Sequence, residues 1–178
     1  MIIIGIDPGS RLTGFGVIRC EGNQHYHIDN GCIRVTAENV GDRLTQIFIG
    51  IQAVIQQYQP QEAAIEQVFM HQNPGAALKL GQARGAAIVA LNLPVAEYSA
   101  RQVKQSVVGY GAAKKEQIQH MVKRLLNISE DLQADAADAL AIALCHAHTR
   151  HSIHSLGMTP FSKQQKNSWR NFKPETTK

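Results

Sequence analysis

The sequence predicts an α/β domain: a mixed five-stranded sheet, with a three-stranded antiparallel meander joined to parallel strands, flanked by helices. Three observations predict it. The chain opens on the aliphatic run Ile2-Ile3-Ile4-Gly5-Ile6, which reads as a strand buried on both faces. Two more strand-like runs follow, near 14–20 and 24–35, with the turn signal Gly22-Asn23 between them. From Val40 the apolar period changes to steps of three and four, and short strands then alternate with helices, as parallel crossovers require.

Each element has its own warrant. The first strand ends at Asp7, and Pro8-Gly9 turns the chain into the second. Val40, Leu44, Ile47, Phe48, Ile51, Ile55 and Tyr58 form the apolar stripe of a helix that Pro60 closes. Ala63 to Val68 is a short strand, followed by Phe69 and a loop marked by Asn73-Pro74-Gly75. Residues 76–91, rich in Ala and Leu, predict a largely buried helix, with Gly81 and Gly85 allowing a neighbouring backbone to approach. Pro94 to Tyr98 is the fifth strand. Ser99 and Gln102 have the spacing of a capping box, opening a helix that ends by Gly109-Tyr110-Gly111. A further helix turns Ile118, Met121, Val122, Leu125 and Leu126 to the core, and a last one runs from about Gln133 to His148. Residues 1–149 are therefore expected to form the folded domain. Residues 150–178 form a basic tail of little periodicity, expected to be disordered.

Composition bounds the function. No apolar run approaches the roughly 20 residues of a membrane span, and three cysteines without CxxC spacing argue for a reducing, cytoplasmic setting. The net charge of +4 is unevenly spread. Residues 1–78 carry −3, residues 79–124 carry +6, residues 125–150 carry −3 and the tail +4. A basic middle between acidic ends suits a polyanion held beside an acidic pocket.

Four acids could meet in that pocket. Asp7 stands where a central strand stops. Glu66 interrupts an apolar strand, where a charge needs a partner or a task. Asp135 and Asp138, three apart among small residues, share one face of the last helix near its start, where the helix dipole favours anions. If the strand of Glu66 lies beside the first strand, Asp7 and Glu66 become neighbours. Clustered carboxylates need cations or large upward pKa shifts. An all-oxygen set with open positions suits Mg²⁺, with Mn²⁺ able to substitute, and two such ions about 3.5–4 Å apart can activate water against a phosphodiester.

Four segments carry a resemblance. Ile4-Gly5-Ile6-Asp7-Pro8-Gly9, Ala64-Ile65-Glu66-Gln67-Val68-Phe69, Leu80-Gly81-Gln82-Ala83-Arg84-Gly85 and Ala134-Asp135-Ala136-Ala137-Asp138-Ala139 resemble the signatures of the RuvC Holliday-junction resolvases of bacteria. The resemblance covers about residues 1–149. It implies an RNase H-like fold, a homodimer, and paired cuts across a four-way DNA junction in recombination and repair. It also implies two Mg²⁺ ions per active site and a RuvA–RuvB branch-migration complex as partner. By position, Asp7, Glu66, Asp135 and Asp138 match the family's acids, Lys104 and Lys115 its active-site lysines, and Phe69 its junction-contacting aromatic. Lys104 and Lys115 would oppose phosphate charge without competing as ligands. Phe69 would stack on an unpaired base, and Arg84 and Lys114 are further DNA-contact candidates.

Other readings compete. An ATP-binding module of the actin and sugar-kinase type also opens with strand, Asp-x-Gly, strand, but needs a longer chain for two lobes. A non-catalytic DNA-binding protein is disfavoured by four intact acids. Cys145, His146, His148, His151 and His154 fit no standard zinc spacing, and Tyr110 reads as a loop tip.

Overall fold

A computed structural model describes residues 1–68 and 73–155, with side chains through 150. The strands are β1 (Ile2–Asp7), β2 (Leu12–Glu21), β3 (Gln24–Arg34), β4 (Glu62–Glu66) and β5 (Val95–Tyr98). The helices are α1 (Val40–Tyr58), α2 (Pro74–Leu91), α3 (Ala100–Val108), α4 (Lys115–Leu125) and α5 (Ala134–Ser155). The sheet order is β3-β2-β1-β4-β5. The β1–β2 and β2–β3 pairs are antiparallel, and β1–β4 and β4–β5 are parallel. This is the predicted mixed sheet.

The pleat of β1 divides the molecule into two layers. Ile4 and Ile6 point to one face, where α1 and α2 pack, and Ile3 points to the other, beneath α3, α4 and α5. Gly5 and Asp7 share the α5 face with Ile3. On that face the helix lies unusually close: a Cβ on Gly5 would stand 2.1 Å from the Ala139 carbonyl oxygen. The alanines of α5 serve the same closeness, since Ala136, Ala137, Ala139 and Ala143 are fully buried.

Capping follows the sequence. Asn39 accepts from the Asp42 N–H to open α1, and Asn73 from the Ala76 N–H to open α2. Ser99 and Gln102 form the expected capping box. Four expectations need correction. The helix α2 is not largely buried: Ala83, Ala87, Ala90 and Leu91 face the core, whereas Leu78 and Val89 are 64% and 69% exposed. Gly81 and Gly85 have open space on their side, with no backbone approaching among the described residues. The alanine stripe of α2 alone suffices to pack on α1, leaving its other side bare. In α1, Val40 and Phe48 are exposed and Val54 is buried in their place, so the core stripe is narrower than the sequence pattern. The last helix runs through Ser155, past the expected boundary after residue 149, and residues 156–178 lie outside the described residues.

At the end of the sheet opposite Asp7, a polar network ties α5 down. His146 is only 1% exposed. Its Nε2–H donates to Glu62 at 2.9 Å, and its Nδ1 accepts from the Tyr98 hydroxyl at 2.8 Å. Arg150 adds a 3.0 Å bond to the other Glu62 oxygen. Burial lowers the pKa of His146 against the pull of Glu62, which suits the neutral ring this pattern requires. Removing the imidazole leaves the mostly buried Glu62 carboxylate with Arg150 alone and takes a buried partner from the Tyr98 hydroxyl. His146→Ala is expected to cost about 3 kcal/mol, against about 1 kcal/mol for Ser99→Ala, both read from urea denaturation.

Candidate active site

The register of the sheet brings the first two acids together. Ile6 pairs with Ile65 in the parallel β1–β4 ladder, so Asp7 and Glu66 close adjacent strands side by side on the α5 face. The other two arrive from above. Asp7 pairs across the antiparallel ladder with Gly14, and a Cβ on Gly14 would stand 2.1 Å from the carbonyl oxygen of Asp135. The first turn of α5 thus rests on β2 beside Asp7. Asp138 follows three residues on, on the same side of the helix.

The electrostatics register this convergence. Burial, then the charges of Glu66, Asp138 and Asp135, push Asp7 up to about 8, with Lys115 opposing. Glu66 is raised by burial and by Asp138, with Lys104 and Lys115 opposing. Lys115 Nζ stands 2.7 Å from an Asp138 oxygen. Hydrogen bonding to that carboxylate raises its own pKa, so the ammonium is retained. Glu66, Asp138, Lys104 and Lys115 line one open cleft with Ala100, Val103, Ile118, Ala141 and Ile142. The cleft therefore has an acidic floor, two cationic side chains at its edge and an apolar wall from α3, α4 and α5.

The remaining predicted residues divide. Lys114 is exposed at the N-terminus of α4, beside Lys115. Arg84 turns inward: its guanidinium meets Glu97 at 2.6 Å and its Nε–H donates to the Glu66 carbonyl at 3.1 Å. It braces the strand end that carries Glu66. Phe69 lies outside the described residues. Gly14 went unread in the sequence as a site residue, although its alternation with Gly16 in Gly14-Phe15-Gly16 marks a strand face stripped for a close neighbour.

The donor set is one of hard oxygens. Among the described residues no three His, Cys, Asp or Glu side chains gather closely enough to enclose an ion. Oxygen donors of this kind suit hard divalent cations such as Mg²⁺ or Mn²⁺, which complete their coordination with water.

A mixed sheet in this order, flanked by five helices, is that of the RNase H-like class. Comparison with known proteins narrows the class. The family model of the crossover junction endodeoxyribonuclease RuvC matches residues 3–146. A RuvC of Shewanella sp. (strain W3-18-1) is 61% identical over 158 residues, covering 87% of this chain and 91% of its own. That of Tolumonas auensis is 61% identical over 155 residues, covering 85% and 90%. The structure of Thermus thermophilus RuvC aligns with a TM-score of 0.77 at 32% identity, covering 89% of this chain and 98% of its own. The same protein in complex with Holliday junction substrate aligns with a TM-score of 0.80 at 33% identity, covering 85% and 96%. The chain belongs to the RuvC family of crossover junction endodeoxyribonucleases.

Proposed function

We propose that this chain is a structure-selective endonuclease that resolves four-way DNA junctions by symmetrically paired phosphodiester hydrolysis, leaving 5′-phosphate and 3′-hydroxyl ends. The observation that carries this reading is the meeting of Asp7 and Glu66 on adjacent strands beneath the first turn of α5, in a chain of this family. Asp7, Glu66, Asp135 and Asp138 would hold two Mg²⁺ ions, with Mn²⁺ able to substitute. The ions would supply an activated water and charge neutralisation at the leaving oxygen.

The chain's own groups do the rest. The four carboxylates fix where positive charge collects, and hence where a phosphate can settle. Lys104 and Lys115, at the cleft edge, face the phosphate as compact cations. The Lys115 bridge to Asp138 holds that ammonium in the site before DNA arrives. Lys114 extends the cationic edge along the backbone of the DNA. Arg84, engaged by Glu97 and the Glu66 carbonyl, positions Glu66 and is not assigned to DNA. Phe69 is assigned to stacking at the branch point.

One site cuts one strand, so symmetric resolution takes two copies about a two-fold axis. The bare side of α2, with Leu78, Gly81, Gly85 and Val89, suits that self-association, because exposed aliphatic residues and open glycines let like helices approach. No helix among the described residues is long and apolar enough to cross a membrane. We place the protein in the cytoplasm, acting with a RuvA–RuvB branch-migration complex.

The test is a Mg²⁺ titration of cleavage on a labelled four-way junction and on a linear duplex of the same sequence. Mg²⁺-dependent, paired nicks confined to the junction are expected. Equal cutting of both substrates, or none of either, removes the reading.

A further inference from the structure

The cations of the folded domain are not used alike. Arg19, Arg84, Lys115, Lys123 and Arg150 each meet a carboxylate. Of the eight that meet none among the described residues, Arg11, Arg43 and Lys79 stand together at the catalytic edge, on the face of the sheet opposite Lys104 and Lys114. Arg11 is exposed in the turn between β1 and β2, four residues after Asp7. Arg43 reaches from the first turn of α1 to the Ser10 carbonyl of that same turn. Lys79 is exposed on the second turn of α2.

Two clefts join them. One is lined by Ser10, Arg43, Lys79 and Gln82 over the apolar floor of Val40, Leu44 and Ile47. The other is lined by Arg11, Arg43 and the 35–38 segment, which includes Glu38. Arg43 walls both, so they adjoin. Their acidic neighbours are Glu38 and Asp42, and Asp42 is engaged by the Asn39 side chain and backbone cap. Cations outnumber acids here, and among the described residues no carboxylate answers the excess.

We propose that Arg11, Arg43 and Lys79 form a second phosphate-binding site, which holds the backbone of branched DNA on the far side of the acids from Lys104 and Lys114. The inference rests on the junction reading above. A scissile phosphate beside Asp7 would have its strand continue over the β1–β2 turn, where Arg11 and Arg43 stand. An Arg fork grips a phosphate in two bonds, and Lys adds a point charge. The site reads charge and spacing, with no base recognition, so its loss weakens binding across sequences.

The experiment measures binding of a fluorescent four-way junction across a salt series without Mg²⁺, in proteins carrying Asp7→Asn. Added to that background are Arg11→Gln with Lys79→Gln, Lys104→Gln with Lys114→Gln, or Arg19→Gln. Arg43 is left intact because it also shapes the turn. Arg19 is the charge control, since it pairs with Glu21 near the opposite end of the sheet. The Arg11 and Lys79 pair is expected to lower the slope of log affinity against log salt by about 2, one for each phosphate no longer neutralised. The control is expected to leave it unchanged. An unchanged slope in the Arg11 and Lys79 protein, beside a lowered one for Lys104 and Lys114, overturns the second site and leaves the junction reading standing. An equal fall with Arg19→Gln also overturns it, because net charge then explains the effect. If the parent protein binds linear duplex as tightly as the junction, the junction reading fails and takes this inference with it.

Discussion

Asp7→Asn is expected to raise the thermal stability of the metal-free protein while abolishing cleavage. The two effects share one cause. Burial first, and then the charges of Glu66, Asp138 and Asp135, push Asp7 up to about 8 from an ordinary value of 3.8. Because the folded value lies above the unfolded one, the fold favours the protonated acid. Stability is fully present below pH 4 and is lost as the pH rises towards 8. At neutral pH the wild-type protein must therefore keep a proton on Asp7, or carry an unpaired charge, and asparagine does neither. A gain of roughly 2 kcal/mol, or roughly 4–8 °C in Tm, is expected at pH 8 and none near pH 4. Adding Mg²⁺ is expected to reverse the ranking, stabilising the wild type far more than the variant. Thermal melts across pH, with and without Mg²⁺, check each part. A variant that gains nothing between pH 4 and pH 8 would show that neither burial nor the neighbouring acids disfavour the Asp7 charge.

The second large effect is at a residue with no side chain. Gly14→Ala would place a Cβ 2.1 Å from the Asp135 carbonyl oxygen and 2.5 Å from its carbon, and both are backbone atoms of α5. The start of the helix must lift or turn to make room. Cleavage is expected to fall at least about 100-fold, since a misplacement of about 1 Å is enough to do so. Junction binding is expected to persist, because the cations are untouched. Gly5→Ala makes the same clash with Ala139 deeper in the layer, where the helix has no free end to yield. It is expected to lose about 3 kcal/mol or more. Comparing rate, junction affinity and urea midpoint for the two variants separates a displaced ligand from a loosened core.

Much of this was legible from the chain because strong local patterns coincide with the tertiary result. The aliphatic run of β1, the period change at Val40, the capping box at Ser99 and the Asp135–Asp138 spacing are all local statements, and the fold respects them. The convergence of acids was conditional on β4 lying next to β1, which a crossover through α1 provides. What escaped was set by neighbours that local reading does not see. The Ala-rich stretch of α2 looks buried because alanine and leucine are apolar, yet only one side of that helix meets α1. The charge of Arg84 suggests a DNA contact, and its pairing with Glu97 in β5 could not be read from the sequence around it. Arg11 and Arg43 lie in a stretch of net negative charge, so regional sums hid cations that the fold gathers at one rim.

The alternation of β1 has a last consequence, for how this protein tolerates length changes. Odd positions 3, 5 and 7 serve α5, and even positions 4 and 6 serve α1 and α2. Deleting a single isoleucine upstream of Asp7 would rotate the carboxylate into the oily layer and present a hydrocarbon to the substrate. The hairpin tip at Gly22-Asn23, remote from that phase, is by contrast the place where a graft or a fluorophore would ride along silently.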